Sequence, residues 1–253
     1  MSKTKYLVPN AFTSFNFLLG VWAIVLSTNS VLETEDSLLL AGWFIIYCVL
    51  FDKLDGFAAK VMKASSEFGA QFDSLADLIA FGIAPAFLVL FSYVHKAPEY
   101  FEANKILVFV GLSLYVLCAA IRLARYNALD AAGEGDPNYF TGVASTLAGA
   151  INALVIIMYC ENGWFENASP LVQRIPISFL IVTAILMVSN FKLPKLVSRK
   201  SKAINIFQIT CIVLTYAFGV AMVFPEFMIA MVVIYLSVGF VHANFIEKHK
   251  KQD

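Results

Sequence analysis

The sequence predicts an all-α integral membrane protein of about eight spanning helices, and three observations carry that expectation. First, 60% of the residues are hydrophobic and only 14% are charged, whereas a soluble domain is about 45–50% apolar and about 25% charged. That excess, with a mean hydropathy of +0.76, makes lipid the solvent. Second, the apolar residues fall into runs of roughly 20, the length a helix needs to cross a bilayer. Third, Lys and Arg gather in alternate joins between those runs.

In order, the expected spans run approximately 8–28, 37–62, 69–94, 105–127, 140–160, 170–191, 204–224 and 226–246. The first opens at Val8 without a short core and small-residue cleavage site, so it reads as a retained helix and not a signal peptide. The second and third are joined by a short turn around Ser65-Ser66. Later joins carry turn residues such as Asn162-Gly163 and Pro194. No linker is long enough to delimit a second domain. The chain reads as one transmembrane domain over 1–253, with a core over 8–191 and two additional helices over 204–246.

Charge placement orients the bundle. Cations stand at Lys3 and Lys5, at Lys60 and Lys63, at Arg122 and Arg125, from Lys192 to Lys202, and at Lys248, Lys250 and Lys251. The intervening joins are poor in cations or acidic, for example at Glu33, Glu35 and Asp36, then at Glu161 and Glu166. This alternation puts both termini and the basic joins in the cytoplasm. Net charge is zero, and nucleic acid is not an expected partner. Cys48, Cys118, Cys160 and Cys211 lie in or beside apolar runs without CxxC spacing, so they read as small hydrophobes.

The chemistry is concentrated in Phe51-Asp52-Lys53-Leu54-Asp55-Gly56-Phe57-Ala58-Ala59-Lys60 and Gly69-Ala70-Gln71-Phe72-Asp73-Ser74-Leu75-Ala76-Asp77. A carboxylate near a bilayer core costs about 2.5–3.5 kcal/mol on insertion scales. Asp52 and Asp55 are three apart and share one helix face; Asp73 and Asp77 are four apart and share another. A tight return between the two helices brings both faces together. Four converging carboxylates repel one another unless cations sit among them. Oxygen-only ligation suits Mg²⁺, Mn²⁺ or Ca²⁺ better than zinc. Two such ions can clamp both oxygens of a phosphoryl displacement. Gly56, Ala59 and Gly69, beside these aspartates, permit close approach either of a neighbouring helix or of a diphosphate.

This stretch resembles the CDP-alcohol phosphotransferases, whose pattern is D-x2-D-G-x2-A-R-x8-G-x3-D-x3-D. The match runs through Asp52, Asp55, Gly56, Ala59, Gly69, Asp73 and Asp77 with every gap kept. The departure is Lys60, where arginine is usual; lysine keeps the charge and loses the planar fork. Further segments are similar to the membrane-embedded phosphatidylserine synthases: Pro9-Asn10-x-x-Thr13-x-x-Asn16-x-x-x-Gly20, Phe68 to Ala86, Arg122-Leu123-Ala124-Arg125-Tyr126-Asn127, and Leu186 to Lys192. One segment departs: Gly142-Val143-Ala144-Ser145-Thr146 lacks both prolines of their G-L-P-x-P-A-A-A. Phosphatidylcholine synthases share the aspartate core and are the nearest alternative.

The resemblance implies a transmembrane catalytic bundle in the cell (inner) membrane of a prokaryote, its site facing the cytoplasm. It implies CDP-diacylglycerol as donor, L-serine as acceptor, membrane lipids as surroundings, and a homodimer. Asp52, Asp55, Asp73 and Asp77 are expected to hold two Mg²⁺ or Mn²⁺ ions, with Asp77 as general base. Gly56, Ala59, Lys60 and Gly69 are expected at the CDP-lipid, with Asn10 and Thr13 nearby. Arg122 and Arg125 either snorkel to lipid headgroups or bind the serine carboxylate or a lipid phosphate. An ion transporter is the non-enzyme alternative, since intramembrane carboxylates also mark ion paths. Against it, the four aspartates cluster at one end and nothing comparable continues across the membrane.

Overall fold

The computed structural model describes residues 7–28, 36–62, 66–134, 136, 139–167, 169–194 and 202–241. The basic residues expected at Lys3, Lys5, Lys63, Lys195 to Lys200 and Lys248 to Lys251 lie outside this set, as do the side chains of Ala59, Lys60 and Lys202.

The described residues form helices, with one short two-stranded ribbon among them. Helix α1 (Leu7–Ser27) packs along α2 (Ser37–Val61), and two contacts fix them as antiparallel: Thr13 faces Asp55, and the Cys48 thiol faces the Asn16 carbonyl. Next comes one continuous helical rod, α3 (Glu67–Asp77), a π-helical turn (Leu78–Ile83) and α4 (Ala84–Lys96). Ser66 starts the rod: its backbone is extended and its Oγ accepts the Gly69 N–H at 3.0 Å, satisfying an end donor the helix itself cannot. After Ala97, Pro98 begins α5 (Pro98–Ala131), a position where its missing N–H is harmless.

Helix α6 (Ser145–Glu161) is the centre of the bundle. From Ala148 to Ile157 every residue is buried, so this helix is covered on all sides. Two four-residue helices, α7 (Trp164–Asn167) and α8 (Pro170–Gln173), lead into α9 (Ile175–Val188), which lies along α5. Helices α10 (Lys202–Ala221) and α11 (Pro225–Val241) close the chain. Tyr47 of α2 donates to the Val220 carbonyl of α10 at 3.0 Å.

Five helical stretches are long and apolar enough to cross a membrane: Val8–Ser27, Ser37–Ala58, Glu67–Lys96, Pro98–Ala131 and Pro170–Val188. Three shorter apolar helices, Ser145–Glu161, Ile209–Ala221 and Pro225–Val238, coincide with the other expected spans. The protein is an all-α, multi-pass membrane protein, and five is the number of spans that length supports among the described residues.

Three boundaries differ from expectation. Helix α5 runs past 127 to Ala131, and before the expected start at 105 a further stretch from Pro98 joins it across a kink at Asn104, whose backbone is non-helical (φ −126°, ψ 18°). The expected 140–160 helix starts only at Ser145, because Tyr139–Thr141 forms strand β1. It pairs antiparallel with β2 (Lys192–Pro194), Tyr139 opposite Pro194 and Thr141 opposite Lys192. The turn between β1 and α6 uses Gly142 at φ +74°, and a Cβ there would sit 2.6 Å from the Met187 carbonyl oxygen. The 170–191 span is broken at Arg174, where Pro176 interrupts the hydrogen-bond ladder, and ends at Val188.

Candidate active site

Four tertiary contacts gather six helix ends at one end of the bundle. Thr13 of α1 meets Asp55 of α2. Asn127 of α5 donates to the Ser74 hydroxyl of α3 at 2.8 Å. Arg122 of α5 donates to the Ser145 hydroxyl of α6 at 2.7 Å. Arg125 of α5 holds the end of α9. The acidic residues lie among these ends.

Asp52, Asp55 and Asp73 each present a carboxylate oxygen, and these oxygens lie within 4.8 Å of one another. At that spacing two ionised groups repel by about 3 kcal/mol even at an effective dielectric of about 20. Lys53 offsets part of this, its Nζ standing 2.7 Å from Asp52. Asp77 is only 7% exposed, and its Oδ1, like Oδ1 of Asp73, is buried with no hydrogen-bond partner among the described residues. Unpaired buried carboxylate oxygens beside a cluster of oxygen donors fit a divalent cation. The donor set is all oxygen, which suits a hard divalent cation such as Mg²⁺, Mn²⁺ or Ca²⁺ better than zinc.

The first helix supplies the expected neighbours. The Thr13 hydroxyl lies 3.1 Å from Asp55 Oδ2 and 3.1 Å from the Pro9 carbonyl, so its single proton is shared between two acceptors. Asn10 adjoins Gly69, whose missing side chain leaves room for it: a Cβ there would lie 3.4 Å from Asn10 Oδ1. At Gly56 a Cβ would meet no atom within 4 Å. Helix packing therefore does not require glycine at that position, which faces open space beside Asp55. Ala59 and Lys60 are in the last turn of α2, but their side chains lie outside the described residues.

The two arginines part company. The Arg122 guanidinium rests over the Tyr126 ring at 5.5 Å, donates one N–H to Ser145, and lies within electrostatic range of Asp77 and Asp52. It forms no ion pair among the described residues, so the rest of its donor edge is available. Arg125 is committed to the protein itself. Its Nη1 donates to the Val188 carbonyl at 3.1 Å and to Asn190 Oδ1 at 3.3 Å. Its Nη2 donates to the carbonyls of Thr141, Met187 and Ser189 at 3.1, 3.2 and 3.4 Å. It caps α9, whose last carbonyls have no intrahelical donors, and ties that end to β1.

Sequence reasoning assigned no role to Lys53, Ser74, Asn127 or Ser145. Ser74 and Asn127 lie inside segments with a family resemblance and Ser145 in the segment that departs from it, but a hydrogen bond between side chains 53 or 23 positions apart leaves no periodic signal. The family model described as CDP-alcohol phosphatidyltransferase matches residues 6–188, which is α1 through the end of α9 and includes the four aspartates, Arg122 and Arg125. Among curated proteins, a CDP-diacylglycerol–serine O-phosphatidyltransferase of Helicobacter pylori is 32% identical over 189 residues, covering 75% of this chain and 72% of that protein. One of the same name from Methanocaldococcus jannaschii is 28% identical, covering 74% of each chain. An archaetidylserine synthase of Methanothermobacter thermautotrophicus is 31% identical, covering 70% of this chain and 68% of its own. With the aspartate spacing, the gathered helix ends and these matches agreeing over the same residues, the chain belongs to the CDP-alcohol phosphatidyltransferase family.

Proposed function

We propose that this protein transfers the phosphatidyl group of CDP-diacylglycerol to the hydroxyl of L-serine, releasing CMP, by direct displacement. The observation that carries the reading is the convergence of three aspartate oxygens within 4.8 Å beside a buried, unpaired Asp77 oxygen and an anchored Arg122. The names of the similar proteins supply the donor and acceptor.

Asp52, Asp55, Asp73 and Asp77 are the residues that would hold Mg²⁺ or Mn²⁺, in our reading two ions. Bound there, such ions neutralise charge on the diphosphate and polarise the phosphorus that carries the lipid. Asp77 accepts the serine hydroxyl proton; the serine oxygen bonds to that phosphorus as the bond to the CMP oxygen breaks, and the electron pair leaves with CMP. Thr13 steadies Asp55 during this step. The open space at Gly56, with Asn10 and Gly69 alongside, admits the nucleotide end of the donor, together with Ala59 and Lys60. Arg122 takes the serine carboxylate, held flat by Tyr126 and in line by Ser145, which places the hydroxyl of a bound amino acid toward Asp77. We assign Arg125 a supporting role, because its donors already serve α9 and β1.

We read the chain as one transmembrane catalytic unit, homodimeric, in the cell (inner) membrane with termini and site on the cytoplasmic side. The acceptor is tested by measuring CMP release from CDP-diacylglycerol with purified protein in detergent and Mn²⁺ or Mg²⁺. Serine, choline, inositol and glycerol 3-phosphate are offered separately. Release with serine alone is the expected result; release with choline and not serine overturns the acceptor and favours the phosphatidylcholine synthase alternative suggested by the missing prolines around Ala144.

A further inference from the structure

The rod from Glu67 to Lys96 is not a uniform helix, and its irregularity begins at the residue after Asp77. Over Leu78–Ile83 the backbone widens: the Ala84 N–H reaches back five residues to the Ile79 carbonyl. The cause is in the sequence. Pro85 has no N–H to give to Phe81, four residues earlier, and its ring crowds that carbonyl. A carbonyl freed inside an apolar bundle needs another donor. Tyr115 of α5 provides it: the hydroxyl, on a residue with 0% exposure, donates to the Phe81 oxygen at 2.8 Å.

Two other helices press on the same turn. Gly20 of α1 lies against Ala80 so closely that a Cβ would be 2.9 Å from its Cα. Gly149 of α6 lies against Phe81, where a Cβ would be 3.0 Å from the ring. The following half of the rod is fixed to the bundle, with Leu88, Val89, Ser92 and Tyr93 buried and the Tyr93 hydroxyl donating to the Gln173 carbonyl at 2.6 Å. The direction in which Asp73 and Asp77 point is then set by the widened turn. Each residue gained or lost in such a turn rotates what precedes it by about 100°.

We propose that Tyr115 is a positioning residue for the aspartates: by holding the Phe81 carbonyl it maintains the turn imposed by Pro85, and the turn aims Asp73 and Asp77 at Asp52 and Asp55. The inference rests on the reading of those aspartates as cation ligands. Its distinguishing consequence is that function and stability separate. Pro85→Ala restores the missing N–H and relieves the crowding, which offsets the contacts disturbed as the turn closes to ordinary α-helix and turns the carboxylates away.

The test titrates full-length protein in detergent with Mn²⁺, follows free Mn²⁺ by electron paramagnetic resonance, and records Tm and CMP release on the same preparations. Pro85→Ala is expected to keep or raise Tm, weaken Mn²⁺ binding and lower CMP release on the order of 10²-fold. Tyr115→Phe, which removes one oxygen, is expected to weaken Mn²⁺ binding in the same direction and lower release about tenfold. Wild-type Mn²⁺ binding and turnover in a folded Pro85→Ala protein overturn the proposal. Should Pro85→Ala fail to fold, Tyr115→Phe decides: a lower Tm with unchanged Mn²⁺ binding and turnover makes Tyr115 a stability residue only. Asp55→Asn is run alongside. Its having no effect sinks the cation reading itself, whereas its losing Mn²⁺ while the other two variants behave as wild type sinks the positioning role alone.

Discussion

The guanidinium of Arg122 and the hydroxyl of Ser145 meet at 2.7 Å, joining α5 to the first residue of α6 beside Asp77. Ser145 is fully buried, so this bond fixes the angle at which the remaining guanidinium donors face the site. A hydrogen bond to a charged group contributes about 1.5–3 kcal/mol. Arg122→Ala should therefore raise KM for serine about 10- to 100-fold with little change in KM for CDP-diacylglycerol. Ser145→Ala should act in the same direction and more weakly. Steady-state CMP release with each substrate varied in turn checks this, and an unchanged serine KM in Arg122→Ala removes the residue from the acceptor site.

Thr13 steadies Asp55 through a hydroxyl shared with the Pro9 carbonyl. Thr13→Val keeps the shape and removes the donor, a loss of about 1 kcal/mol. The expected outcome is a roughly fivefold fall in kcat/KM, with Thr13→Ser close to wild type. Equal activity in the valine and wild-type proteins would show that Asp55 needs no such support.

Gly56 and Gly149 are predicted to respond oppositely to alanine. At Gly56 the new methyl meets nothing within 4 Å, and alanine favours a helix over glycine by about 1 kcal/mol. Gly56→Ala should be at least as stable as wild type and should raise KM for the CDP-lipid. At Gly149 the methyl would lie 3.0 Å from Phe81, so Gly149→Ala should lower Tm. Thermal unfolding and donor titration distinguish the two.

Arg125 holds four backbone carbonyls and the Asn190 side chain. Arg125→Ala leaves these acceptors without a donor, at about 1–3 kcal/mol per buried group lost. Tm should fall clearly, while the folded fraction keeps a serine KM within about twofold of wild type. A large KM effect at unchanged Tm would return Arg125 to the acceptor site.

The acidic core of the site was legible because its information is local. Asp52 with Asp55, and Asp73 with Asp77, share helix faces by spacing alone, and the cost of charge in lipid makes four of them conspicuous. Five of the expected spans were legible for the same reason, each being a helix long and apolar enough to cross a membrane. The β1–β2 ribbon was not, since three-residue strands whose partners stand 51 to 55 positions apart carry no pattern of their own. The separation of Arg122 from Arg125 was hidden too: both look alike in sequence, and only the end of α9 shows where the second is spent. Pro85 was a readable signal for a freed Phe81 carbonyl, but its donor, Tyr115, is 34 residues away on another helix and is found only in three dimensions.

The central claim is that four aspartates at one end of the bundle hold divalent cations for phosphatidyl transfer. The direct measurement is CMP release from CDP-diacylglycerol and serine by wild-type, Asp55→Asn and Asp77→Asn proteins, each before and after chelation and after return of Mg²⁺ or Mn²⁺. Wild-type release should vanish on chelation and return with the ion, and each variant should stay below about 1% of wild type throughout, in keeping with the 10²–10⁴-fold contribution of a general base. Full turnover in either variant, or wild-type turnover that survives chelation, would contradict the account.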